Sequence, residues 1–252
     1  MINRLIIILI LFVFKTGYSQ TNQKAIDSLK QLLVGSANYT LSNYLSQIAE
    51  LYDKDPEKRI SYAKRSISIA EYVERFDIAC KSRIILGQAY IQKMEFDSAI
   101  TIYSKGFEYF KYFDDKKIKA KLFSVLGLAY ERKYLFSLAN EYHAKALVLN
   151  KETKDKDEIA YSLTNIGLNY WRTGEYKEAE KYYIEALKYR QETNNKRALS
   201  ITYNNLGVLH WNWGNYFKAL KFYLSALELK DEAKDSNGLV LSYNNIGLLY
   251  QK

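Results

Sequence analysis

Cysteine occurs once, at Cys80, so no disulfide can form within the chain and the fold must rest on its hydrophobic core. In an oxidising compartment a lone thiol is either buried or open to cross-linking. Cys80 lies in a helical stretch seven residues before Gly87, and burial is expected there. Proline also occurs once, at Pro56, which suits a chain of long helices. The two histidines, His143 and His210, form no cluster with metal-ligand spacing. No serine or cysteine has a base set beside it, and no glycine-rich phosphate loop appears. Neither cofactor, metal nor enzymatic activity is expected from such a chain. Apolar residues make up 48% of it, more than a disordered chain carries.

Long apolar runs are missing except at the start, where Leu5–Phe14 is unbroken and Arg4 precedes it. Gly17-Tyr18-Ser19 places small residues at −3 and −1 of a cut before Gln20, the pattern of a secretory signal peptide over residues 1–19. A membrane anchor needs about 20 apolar residues, and Arg4 and Lys15 bracket this run too tightly for one. No cysteine stands near the cut, which argues against a lipid anchor. The chain is therefore expected to be exported, to the periplasm or outside the cell. Removing residues 1–19 lowers the net charge from +9 to +7. Lysines alternate with acids, as in Lys151-Glu152-Thr153-Lys154-Asp155-Lys156-Asp157-Glu158, so the charge reads as solvated helix faces and no nucleic-acid partner is expected.

What the sequence has is a repeat of 40 residues. Gly87, Gly127, Gly167, Gly207 and Gly247 set its register. An aliphatic residue precedes each glycine, and Tyr90, Tyr130, Tyr170, His210 and Tyr250 follow it by three. Further columns hold Phe96, Phe136, Tyr176 and Tyr216 at +9, then Ala99, Ala139, Ala179 and Ala219 at +12. Tyr103, His143, Tyr183 and Tyr223 stand at +16, and Gly106, Ala146, Ala186 and Ala226 at +19. Offsets −4, −1, 0 and +3 share one face of a first helix; +12, +16 and +19 share one face of a second. Small residues in both faces let two antiparallel helices approach closely, with the aromatics filling the remaining space. Both histidines occupy aromatic or tyrosine columns and read as core substitutions. Gly174 and Gly214 fall where the first helix must end and suit a left-handed cap. Asp157 precedes an apolar run and is expected to cap the next helix.

This pattern resembles the tetratricopeptide repeat, in the longer variant found in kinesin light chains and bacterial peptide-sensing regulators. Leu163, Ile166, Gly167, Tyr170, Ala179, Tyr183 and Ala186 occupy the signature positions in order. The resemblance covers about residues 79–252, with His143, Gly106 and His210 as mild departures. It implies an all-α fold, a right-handed superhelical solenoid of antiparallel helix hairpins. Residues 20–78 read as a leader helix over 22–34, ended by Gly35, and a degenerate repeat with Pro56 at the first position of its second helix. Residues 79–252 then hold four complete repeats and the first helix of another, in one continuous solenoid. That last helix, 239–252, is apolar nearly all round. A terminal solenoid helix should turn a polar face to water, so the chain is expected to be a fragment of a longer protein. A natural final helix, or one that dimerises, stays open as the alternative.

In such a stack, first helices line the concave side. Asn165, Asn205 and Asn245 stand two residues before the glycines, beside Asn204 and Asn244; Trp171 and Trp211 stand four after. The resemblance implies that the asparagine column bonds the backbone of an extended peptide, since an amide both donates and accepts. The tryptophans would add apolar anchors. The competing reading has the asparagines bonding between helices and the tryptophans packing between repeats. Ile85 and Val125 hold the asparagine column earlier, so a peptide or protein ligand is expected toward the C-terminal half. The layout also looks like the periplasmic part of sensor histidine kinases and membrane-bound transcriptional regulators of Bacteroidetes-type bacteria. A membrane link would then come only through a part outside this sequence.

Overall fold

The computed structural model describes residues 22–33, 37–193 and 195–251. The signal-peptide reading of residues 1–19 and the stop expected at Gly35 lie outside them. The described residues are helical throughout, with no strand. The chain packs as two compact units, Met1–Ile118 and Lys119–Lys252.

The first unit holds helix α1 over 22–33, then α2 (Asn38–Leu51), α3 (Pro56–Tyr72), α4 (Phe76–Gln92) and α5 (Phe96–Gly106). Asp55 caps the start of α3, accepting from the backbone N–H of Lys58 at 3.1 Å, and Pro56 takes the first helical position as expected. Ala49, Ile60, Ala63, Ile67, Leu86 and Ala89 form its core, with Tyr62, Tyr90 and Ile102 packed against them. Cys80 is buried, and its Sγ faces the carbonyl of Gly106 at 3.9 Å. Burial pushes the thiol up to about 12, which leaves it protonated and unreactive. The helix α5 ends early, at the column where other repeats carry alanine, and passes into the 3₁₀ turn Phe107–Tyr109. Glycine there gives up helix propensity, and Phe107, Phe110 and Phe113 pack edge to face beyond it.

Helix α6 runs over Lys116–Arg132. The second unit continues with α7 (Phe136–Thr153), α8 (Lys156–Arg172), α9 (Tyr176–Glu192), α10 (Lys196–Asn212), α11 (Tyr216–Glu232) and α12 (Ser236–Leu249). Within it, α8 packs on α9, α10 on α11, and each pair on the next, so the unit is a stack of antiparallel hairpins. The glycine columns explain the close approach. A Cβ at Gly167 would sit 2.8 Å from the ring of Tyr183, and one at Gly127 2.8 Å from that of His143. The column at +3 then stacks on a second aromatic column at +15: Tyr130 on Tyr142 with ring centres 5.4 Å apart, Tyr170 on Tyr182 at 5.5 Å, and His210 on Phe222 at 5.4 Å. These two rows hold six of the 24 tyrosines: Tyr90, Tyr130, Tyr142, Tyr170, Tyr182 and Tyr250.

Turns repeat as regularly. Gly174 and Gly214 have φ of +82° and +81°. Glu175 N–H returns to the Tyr170 carbonyl and Gly174 N–H to that of Trp171, the paired bonds of a Schellman cap. Met94 and Tyr134 hold the same place in earlier repeats at φ of 63° and 60°, where a side chain costs conformational energy that glycine avoids.

Candidate functional site

The first helices of the second unit begin at a column of caps. Asp155 accepts from Glu158 N–H (3.2 Å), Asn195 from Ala198 N–H (3.1 Å) and Asp235 from Gly238 N–H (3.0 Å). The cap of α8 is therefore Asp155 and not Asp157. Asp157 lies one residue inside the helix, and its carboxylate pairs with Arg190 of α9 instead. A 40-residue spacing of Asp155, Asn195 and Asp235 was the signal for this.

These caps set where each first helix starts, and the packing of its glycine face places the asparagines. Asn165 is 8% exposed, and its Nδ2 meets no partner among the described residues. Asn204 and Asn245 come together: Nδ2 of Asn245 donates to Oδ1 of Asn204 at 3.0 Å, joining α12 to α10. Asn205 is half-buried and Asn244 exposed. A further amide, absent from the sequence expectation, is Asn169, which is fully buried and donates to Asn140 Oδ1 of α7 at 2.9 Å. The column therefore divides. Asn204 and Asn245 serve the contact between repeats, while Asn165 keeps an unspent donor.

Trp171 and Trp211 are half-buried, each with its Nε1 closed off from water and without an acceptor among the described residues. Trp171 packs on the cluster of Ala179, Tyr183, Leu206 and Leu209. One repeat earlier the same column holds Glu131, 3% exposed, which Arg172 reaches at 2.8 Å. Burial raises the Glu131 carboxyl above its usual range, and the neighbouring Arg172 and Arg132 partly offset this.

Both histidines are fully buried. His143 lies over Gly127, its two ring nitrogens without partners among the described residues, and burial pulls it down to about 4. His210 stacks between Phe222 and Trp213, and Glu180 Oε1 lies 3.1 Å from its Nε2. Burial lowers it too, against the opposing pull of Glu180. A column of hydroxyls at −5 from the glycine also escaped the pattern reading. Asn150 donates to Ser162 Oγ (3.2 Å), and Lys230 to Ser242 Oγ (2.8 Å). In the first unit Ser66 donates to the Ser42 carbonyl and Ser82 to Ser46 Oγ. These bonds satisfy polar groups inside the stack and are structural. Among the described residues, no group of three or more His, Cys, Asp or Glu is placed to hold a metal ion. No described helix is long and apolar enough to cross a membrane.

The tetratricopeptide repeat model matches residues 158–232, the span from α8 to the end of α11. A search of curated proteins finds no match. Among solved structures, BtubC (BKLC) from P. vanneervenii aligns with a TM-score of 0.70 at 22% identity, over 78% of this chain and 84% of its own. A signal transduction ATPase with numerous domains from Pyrococcus horikoshii, which has a tetratricopeptide repeat sensor, aligns with a TM-score of 0.77 at 19% identity. It is covered over 36% of its length, against 90% of this chain. A Rap protein complexed with Competence and Sporulation Factor aligns with a TM-score of 0.67 at 14% identity, over 92% of this chain and 71% of its own. These similarities concern the fold.

Proposed function

We propose that this chain, whose repeats are tetratricopeptide repeats, is an exported scaffold that binds a protein or an extended peptide along the first helices of its second unit. The observation that carries the reading is the row of amides and indoles that α8, α10 and α12 repeat in register, with Trp171, Trp211 and Asn205 half-buried and Asn244 exposed. An amide both donates and accepts, as pairing with a peptide backbone requires. The similar Rap structure, held with a partner, supports the same use of the fold. Export rests on the Arg4, Leu5–Phe14 and Ser19 pattern.

Affinity selection of an extended-peptide library tests this. Trp171→Ala or Trp211→Ala is expected to cost about 2 kcal/mol of affinity, roughly thirtyfold. Asn165→Ala and Asn205→Ala are expected to cost about 1 kcal/mol each. Thermal melts separate lost binding from lost fold. Selected peptides that bind all four variants as tightly as the parent sink the groove reading.

A second reading, in which the array is the sensory region of a larger signalling protein, is favoured by one observation. The Pyrococcus ATPase uses its repeats as a sensor, and this chain matches 36% of its length. A reading frame that runs on into a membrane span and an output domain, a histidine kinase or a transcriptional regulator, supports it. The ligand surface is the same in both.

A further inference from the structure

The α8–α9 and α10–α11 hairpins each have a corner where the end of the second helix meets the start of the first. In α8–α9, Lys156 pairs with Glu192 at 2.9 Å, and Asp157 sets its carboxylate on Arg190. In α10–α11, Lys196 pairs with Glu232 at 2.8 Å in the same way. One repeat on from Arg190 stands Lys230, but one repeat on from Asp157 stands Arg197. Where the first corner sets a carboxylate against a cation, the second sets two cations together. Neither Arg197 nor Lys230 has an ion pair among the described residues.

The second corner is also hollow. A cavity of about 310 Å³ is lined by Arg197 and Ser200 of α10, Lys230 and Ala233 of α11, and Asp235, the cap of α12. Lys230 is 5% exposed, and its ammonium meets Ser242 Oγ at 2.8 Å. A neutral hydroxyl leaves that buried charge unbalanced, which is costly. Burial holds the Lys230 ammonium below its ordinary range, with Asp235 opposing. Asp235 is already engaged, accepting from Gly238 N–H. A following hairpin does not close such a corner: Asp157, in the matching one, keeps 47% of its side chain exposed although α10, α11 and α12 come after it. We propose that the corner of α10, α11 and α12 binds a ligand's carboxylate, in the place that Asp157 fills one hairpin earlier. Together with Asp235, one such charge balances the two cations. The guanidinium fork of Arg197, which is exposed, fits both oxygens of a carboxylate. The site lies about two turns of α10, roughly 12 Å, from Asn205, so it stands apart from the asparagine and tryptophan groove.

The probes are N-acetylglutamate, its uncharged diamide, and a short glycine-alanine peptide ending in glutamate, each titrated calorimetrically onto the full chain at constant ionic strength. Saturable binding of the two carboxylates and none of the diamide is expected. Arg197→Gln and Lys230→Gln should each weaken it at least tenfold. Arg197→Asp should abolish it and raise the melting midpoint, because it rebuilds the pairing of Asp157 with Arg190. Arg197 is exposed, so its variants are expected to keep the fold, and the same melts check this. A peptide that binds more tightly than the free acid identifies a peptide as the source of the carboxylate, and the reverse identifies a small molecule; both support the site. Absence of binding overturns the proposal, as does binding that the diamide matches or that Arg197→Asp leaves intact. So does saturable binding of inorganic phosphate with neither carboxylate bound.

Discussion

Replacing Gly207 with leucine is expected to lower the stability of the chain by about 1–3 kcal/mol. The reason is local and steric. A Cβ at Gly207 would stand inside 3.0 Å of the Tyr223 ring, nearer than real Cβ contacts come. Tyr223 is itself buried between α10 and α11 and has no free direction in which to yield. The helix pair must therefore separate, or the ring must leave its place over the glycine; either loses contacts that the stack depends on. Gly247→Leu supplies the internal comparison, because the same substitution in the same column meets open space there. It is expected to leave the melt unchanged or raise it slightly, since leucine favours helix over glycine by about 1 kcal/mol. Urea or thermal melts of the two variants measure the difference. Equal midpoints for Gly207→Leu and the parent would show that the glycine column is not a packing column.

The second large effect lies in acid. His143 is held at about 4 by burial, against an ordinary value of 6.5. Between those limits the unfolded chain takes up a proton that the native one refuses. Stability from this group is thus fully present above pH 6.5 and is lost as pH falls toward 4. The displacement amounts to roughly 3 kcal/mol at the acid end. His143→Tyr installs the residue that Tyr103, Tyr183 and Tyr223 supply in the other repeats, over the same glycine column. It also removes two buried ring nitrogens that make no bond among the described residues. The variant is expected to be at least as stable as the parent at pH 7.5 and to lose less stability by pH 4.5. His210 is depressed in the same direction, so some acid slope survives in both proteins. Glu131, held above its usual range, acts with the opposite sign, losing its contribution as pH rises. The difference between parent and variant isolates His143. Parallel stability curves across that range would contradict the assignment.

The fold was legible because its main constraint is steric and therefore periodic. Only a small residue fits beneath the +16 ring, so glycine recurs at Gly87, Gly127, Gly167 and Gly207, and the helical faces follow from that register. The turns at Gly174 and Gly214 were legible because their positive φ favours glycine, although Met94 and Tyr134 adopt it at the same place in earlier repeats. Hydrogen bonding was harder to read. Asp155 and Asp157 are equally good caps by residue type, and only the start of the helix separates them. The hydroxyls Ser162 and Ser242 find an asparagine and a lysine as partners, two different chemistries at one structural position. The hydroxyl recurs, but no single partner type marks the contact.

The candidate groove was half legible for the same reason. An asparagine that bonds a peptide and one that bonds the next helix have the same identity and spacing. Asn204 and Asn245 proved to bond one another, whereas Asn165 did not find a partner among the described residues. The tryptophans are intermediate: their rings pack into the stack, as in the competing reading, while their Nε1 donors stay unspent.

Site-specific photocross-linking tests the proposed placement of ligands along the first helices of the second unit. A photoreactive residue at Asn205 on α10 or Asn244 on α12 is expected to capture a selected peptide ligand. The same residue at Lys181 on α9 or Lys221 on α11, both exposed on second helices, is expected to capture none. Cross-links from Lys181 and Lys221, with none from Asn205 and Asn244, would contradict the claim.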